Sequence, residues 1–146
     1  MLFVRPGELR KMEWNELDFD MLDGSMPQWN IPGHKMKMRL PHLVPLSKQA
    51  VEVLKSIKPL TGNSKYVFPC RRSTLQPMSD NTINASLRRM GFGSDEITGH
   101  GFRAMARTML HEVLKFTPYA IEAQLAHAVW EDLAHATAIQ IKIGSM

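Results

Sequence analysis

Tyrosine is scarce in this chain. Of 146 residues only Tyr66 and Tyr119 carry a phenol, and none follows position 119. Chemistry that needs an aromatic hydroxyl in the last part of the chain is therefore excluded. Cysteine is scarcer still: a lone Cys70 rules out an internal disulfide framework and fits a reducing cytosol. The six histidines and that one cysteine fall into no metal-ligand spacing. No run approaches the roughly 18 apolar residues of a membrane span. The first ten residues already hold Arg5, Glu8 and Arg10, which is not the composition of a secretory leader. No internal repeat or low-complexity linker is visible.

What is present suits one soluble domain. The length is that of a single unit with a real core, and 44% hydrophobic residues is ordinary for such a chain. Net charge is +4, a weak pointer to a polyanion. Its distribution says more. Residues 1–93 carry 14 Lys and Arg against 8 Asp and Glu, whereas residues 94–146 carry 4 against 6. A surface that wraps nucleic acid would concentrate its basic excess in this way, although solvated lysines would give the same count.

The periodicities predict mostly helices around a small antiparallel sheet, an α+β fold. Pro6 opens a helical segment running to Trp14, with Leu9 and Met12 on its buried side. Leu17, Phe19 and Met21 alternate with Asp18 and Asp20 as a strand does. Asp23-Gly24 marks a hairpin turn, and Gln28–Pro32 returns. Residues 34–40 then read as an extended chain: Lys35, Lys37 and Arg39 on one face, Met36, Met38 and Leu40 on the other. Leu43–Leu46 completes the sheet. Ser47 caps a helix bearing Val51, Leu54 and Ile57 that ends near Pro59. Tyr66-Val67-Phe68 reads as an apolar stretch within a loop. Ser79 caps a second helix with Ile83, Leu87 and Met90 inward, closed by Gly91. A third helix carries the clearest stripe, Phe102, Met105, Ala106, Met109, Leu110 and Val113. Thr117-Pro118 begins a fourth, with Ile121 and Leu125 inward. In the tail, residues 133–138 are weakly helical. Ile139, Ile141 and Ile143 alternate like a strand, either adding to an edge on a neighbouring chain or fraying.

Two basic boxes carry chemistry. In His100-Gly101-Phe102-Arg103 the i and i+3 residues share a helix face near a helix start, where free backbone N–H groups favour anions. Alone, such a pair is as readily a chance surface feature. Arg107 extends that face by one turn, as a packing residue or a phosphate contact. Paired guanidiniums suit a phosphate in transesterification, because each offers a planar fork to two oxygens and stays charged. A general acid must then protonate the leaving 5′ oxygen, and a base must take the nucleophile's proton.

The boxes gain meaning together. Arg5-Pro6-Gly7-Glu8-Leu9-Arg10 resembles the first arginine box of the tyrosine recombinases, or phage-type integrases. The stretch from Met36 to Ser47 resembles that family's lysine hairpin and the strand leaving it. Thr98–Arg103 resembles the H-x-x-R box, and Leu125-Ala126-His127 the final histidine box. The order and the separation of the two arginines are also typical. The resemblance covers roughly residues 3 to 129, and is nearest to prophage integrases of enterobacterial type. It implies a recombinase catalytic domain over residues 1–129, lacking its N-terminal edge, and a divergent tail over 130–146. It implies DNA integration and recombination in a bacterial or phage-derived cytoplasmic setting, on double-stranded DNA, with other recombinase protomers as further partners. It implies neither a metal, a small-molecule cofactor nor a membrane. Arg5 and Arg103 would clamp the scissile phosphate, and Lys37 would be the general acid. His100 would take the nucleophile's proton or hold the phosphate, and His127 would donate to a phosphate oxygen. Glu8 would brace Arg5, unless it merely favours the helix dipole. Lys35 and Arg39 would touch DNA phosphates, or be plain surface.

The match fails at one decisive place. The family's nucleophilic tyrosine falls nine or ten residues after the histidine box, and here those positions hold Ala136 and Thr137. Removing a hydrolase nucleophile costs on the order of a million-fold in rate, so the chain is expected to be inactive as it stands. Tyr119, eight residues before His127, is a poor substitute. The family's arm-binding and core-binding modules have no counterpart either. The chain thus reads as a catalytic fragment of an integrase or as the product of a decayed prophage gene. Alternatives are a non-catalytic DNA-binding module, a poorly folding remnant, and a fragment of a type IB topoisomerase.

Overall fold

The computed structural model describes residues 2–20 and 26–125. The tail at 130–146, and with it the expectations for Ile139, Ile141 and Ile143, lies outside the described residues.

The chain opens with a short helix, α1 (Pro6–Leu9). It stops earlier than the pattern to Trp14 predicts, because the next residues pair elsewhere. Met12 accepts at its carbonyl from the Val67 N–H (3.0 Å), and the Trp14 N–H donates to Lys65 (3.2 Å). Glu13 and Tyr66 thereby form an isolated antiparallel bridge. Met12 is fully buried, so the helix gives way to a strand-like contact that seals the core.

A three-stranded antiparallel sheet follows, ordered β1 (Leu17–Asp18), β2 (Gln28–Ile31) and β3 (His42–Pro45). Trp29 pairs with Leu17 on one side and Val44 on the other, and Ile31 with His42. Alternation puts Trp29 and Ile31 on the core face and leaves Asn30 outward.

Residues 34–40 correct the sequence reading. They form no strand. Gly33–Lys35 is one turn of 3-10 helix, and the chain then curls through further turns to Arg39, which adopts a left-handed conformation at φ 56°. The close return explains Gly33: a Cβ there would sit 2.5 Å from the Arg39 carbonyl oxygen. Only Met36 of the expected apolar face is buried. Met38 and Leu40 are 54% and 52% exposed, so the two-face alternation is lost.

Helix α2 (Lys48–Thr61) is capped by Ser47, whose Oγ accepts from the Ala50 N–H. It runs through Pro59 and ends two residues later, at Thr61. Leu54 is its buried residue, with Val51 and Ile57 packed beside it. The stretch after Val67 is not a plain loop. It forms a hairpin, β4 (Pro69–Cys70) and β5 (Ser73–Pro77), turning at Arg71 and Arg72. Helix α3 (Thr82–Arg89) starts at Asn81 rather than Ser79, and Met90 ends up 65% exposed instead of inward.

Thr98 caps α4 (Gly99–Thr108), accepting from the Gly101 N–H at 3.1 Å. The helix loosens into a π-helical turn over Met109–Val113. Helix α5 (Pro118–Gln124) follows, with the Thr117 hydroxyl accepting from the Ala120 N–H. The α4 stripe is only half used: Ala106 and Leu110 are buried, while Met105, Met109 and Val113 are 42%, 47% and 68% exposed.

Two cores result. The larger gathers Met12, Trp29, Ile31, Val44, Leu46, Leu54 and Val67; the smaller joins Leu110, Ile121 and Leu125. An apolar cavity of about 490 Å³ is lined by Val4, Leu9, Leu54, Phe68, Ile83 and Phe102 among others, and Arg103 lies at its wall. No helix among the described residues is long and apolar enough to cross a membrane.

Candidate functional site

Arg5 is the residue before the first turn of α1, with an extended backbone. Pro6 presets the turn that follows and needs no N–H partner there. Three residues on, Glu8 folds back and takes both ends of Arg5. One oxygen accepts from the Arg5 backbone N–H (2.9 Å), the other from Nη1 (2.8 Å). Glu8 is buried at 7% exposure, whereas the Arg5 side chain keeps 28%. The carboxylate thus holds the guanidinium from within while the outer edge stays open.

The second arginine comes from α4. The start of α4 lies hard against α1: a Cβ on Gly99 would come within 3.2 Å of Pro6 and of Ile83. One helical turn on, Arg103 donates from Nη1 to the Phe3 carbonyl (2.8 Å) and from Nη2 to the Leu125 carbonyl. It therefore ties the segment before Arg5 to the end of α5. Burial, and then the positive charge of Arg5, push the Arg103 guanidinium below its ordinary range; Glu8 and Glu122 pull the other way. The charges of Arg5 and Arg103 therefore repel, offset in part by Glu8 and Glu122.

His100 is exposed in the first turn of α4, one turn before Arg103. Arg107, a turn beyond, has a partner: Glu122 of α5 accepts from its Nε at 2.9 Å and its Nη2 at 2.8 Å. That pair links α4 to α5. Lys37 and Arg39 are exposed in the β2–β3 loop, and no hydrogen bond joins either to the arginine pair. His127, and positions 136 and 137, lie outside the described residues. Tyr119 is half-buried in α5 and Tyr66 is half-buried beside Lys65, whose Nζ lies 5.5 Å from its ring centroid. Among the described residues no group of three or more His, Cys, Asp or Glu converges as a metal site.

Lys35 is turned inward. Its Nζ donates to the Lys11 carbonyl (3.0 Å), to Glu13 Oε1 (2.7 Å) and to Glu16 Oε1. Glu16 in turn accepts from Trp29 Nε1 (3.0 Å) and from the Glu13 N–H (3.1 Å), and the exposed Lys65 approaches Glu13 at 3.5 Å. Burial by itself would raise the Glu13 carboxyl; the hydrogen bond and charge of Lys35, helped by Lys65, more than reverse this and hold it below the usual glutamate range. Burial would likewise depress Lys35, and the two carboxylates more than reverse that, raising it. Sequence reasoning missed this cluster. Its one trace was Glu13 and Glu16 at a three-residue spacing beside a core tryptophan, a pattern that also fits a solvated turn.

The arrangement has relatives. The profile of the Phage integrase family matches residues 3–136. The prophage integrase IntA of Escherichia coli strain K12 is 41% identical over 127 residues, covering 87% of this chain and 29% of that protein. The integrase of Enterobacteria phage P4 is 39% identical over 141 residues, covering 88% of the chain and 31% of the relative. In structure the chain resembles XerA recombinase, with a TM-score of 0.65 over 96% of the chain and 46% of that molecule, at 22% identity. The fold is that of a tyrosine recombinase catalytic domain. The chain belongs to the phage integrase family, and it spans about three tenths of the length of these two integrases.

Proposed function

We propose that this chain is the DNA-handling catalytic portion of a phage-type integrase, a site built for phosphodiester transesterification in site-specific recombination but without its nucleophile. One observation carries the reading: Arg5, braced by the buried Glu8, and Arg103, set by the start of α4, carry like charges that repel each other. A bridging phosphate of double-stranded DNA relieves that repulsion and accepts from both forks. Lys37, exposed on its loop, is the general acid for the leaving 5′ oxygen; His100 and His127 hold the phosphate or move the nucleophile's proton. Arg39 adds a non-specific phosphate contact. Attack requires a tyrosine where Ala136 or Thr137 stands. The chain as it is binds DNA and makes no covalent link, and any pairing with other recombinase protomers acts through that binding.

The test is a nicked duplex substrate that traps a covalent protein–DNA adduct, given to the chain and to the Ala136→Tyr and Thr137→Tyr variants. An adduct only in a tyrosine variant supports an assembled site that lacks one group. Duplex binding without an adduct in any variant supports a DNA-binding module instead. An adduct with the unmodified chain overturns the reading and points to Tyr119 or Tyr66.

A further inference from the structure

The lysine loop contains two cations with opposite fates. Lys37 is exposed. Two residues earlier, Lys35 is 12% exposed at its side chain and lies between Glu13 and Glu16, themselves 11% and 8% exposed. An ammonium has three N–H donors. Here the Lys11 carbonyl, Glu13 and Glu16 occupy all three. No donor is left for a DNA phosphate unless a buried pair is broken, which strands a carboxylate inside the protein.

We infer that Lys35 is a positioning residue for the recombinase site: it fixes the loop bearing Lys37 to the segment that follows Arg5, and so sets the spacing between the phosphate clamp and the general acid. The inference rests on the proposed DNA reading for what Lys37 does, but the tie itself is structural. The chain of contacts is continuous. Arg5 precedes α1; α1 leads through Lys11 to Glu13 and Glu16; these hold Lys35. Glu16 also takes the indole N–H of Trp29, the central residue of the sheet. Met36, buried at 7%, enters the large core beside the tie. Lys35 and Met36 thus pin the near side of the loop, and Lys37 is the next residue out. The loop has little else to order it: the Met36 N–H donates to Gly33, the Arg39 N–H to Met36, and Met38 to Leu40 are exposed.

The test uses the whole chain, unmodified and as Lys35→Met, Lys35→Arg and Glu13→Gln, each with and without Lys37→Ala. Two quantities are read: hydrogen exchange of the amides of Met36 and Arg39, and duplex affinity as a function of salt. In Lys35→Met those amides are expected to exchange at least ~10-fold faster while the α2 amides are unchanged, since loss of the tie opens the loop locally. Lys35→Arg restores most of the protection. Lys37→Ala weakens duplex binding in the unmodified chain and has a smaller effect once Lys35→Met or Glu13→Gln has loosened the loop, a coupling that a loss of global stability alone does not produce. If Lys35→Met does not fold, Glu13→Gln decides, because it weakens the tie without leaving an unpaired carboxylate. Unchanged exchange together with a salt slope lower by about 0.9 in Lys35→Met makes Lys35 a phosphate contact and overturns the inference. Strict additivity with Lys37→Ala overturns it too. An unmodified chain that does not bind duplex DNA defeats the functional reading, while the exchange result still decides whether Lys35 holds the loop.

Discussion

Among the described residues, the sheet side of this protein gathers a larger buried apolar cluster than its α4–α5 side. Around Trp29, Met12, Ile31, Val44, Leu46 and Val67 are at 1% exposure or less, drawn from four separate segments. Around Leu110 three buried residues meet, with Phe3 and Phe116 at the edge, and the rest of the α4 stripe faces outward. Arg5 and Arg103 sit on the seam. Arg5 belongs to the segment that feeds the large core, and Arg103 to the helix with the thin one. The Arg103 bonds run to the carbonyls of Phe3 and Leu125, both residues of the smaller cluster. The larger core is expected to carry more of the stability than the smaller one.

Substitutions can break or sharpen this contrast. The largest effect is expected from Trp29→Ala, a loss of about 3–5 kcal/mol in urea unfolding, since it opens a cavity in the dense core and also removes one of the donors to Glu16. Leu125→Ala should cost about 2 kcal/mol, the low end for a buried leucine, because the small cluster can close around the gap. Equal losses at the two positions would show that the cores are equally dense and would end the comparison. Met105→Ser, on the exposed part of the stripe, should stay within about 0.5 kcal/mol. A clear destabilisation there would mean that this face is covered in solution.

The ionic tie adds a pH signature to the sheet side. The Glu13 carboxyl is held below its ordinary range, so its contribution is present above the unfolded glutamate value of about 4.3 and disappears as pH falls through the folded value. Lys35 is raised, so its contribution is complete below the unfolded lysine value of about 10.4 and disappears as pH rises through the folded one. Stability from the pair is therefore greatest between the two. A carboxyl titration followed by NMR should show the Glu13 midpoint move up in Lys35→Met; no movement would mean that the pair is not formed in solution.

The sequence was more legible in its family boxes than in the loop. Local rules were enough for Ser47 as a helix cap, for the β1–β2 pairing and for the family membership carried by the basic boxes. Each depends on neighbours within a few residues or on residue types in a fixed order. The loop at 34–40 misled, because a two-residue alternation of Lys and Met is the pattern of a half-buried strand. Its actual conformation depends on Glu13 and Glu16, some twenty residues away, and on the contact of Gly33 with the Arg39 carbonyl. The early end of α1 and the β4–β5 hairpin were hidden for the same reason.

The sequence by itself determined the family, the order and identity of the cationic groups, the starts of α1, α2 and α5 and the lack of a tyrosine after position 119. These are facts of residue type and near-neighbour spacing. Only the tertiary structure decided which lysine of the loop faces solvent and which is held inside, and that Arg5 and Arg103 lie near enough to repel. A buried charge takes the partners that the fold brings to it, because leaving it unpaired away from water costs more than any local preference of the chain.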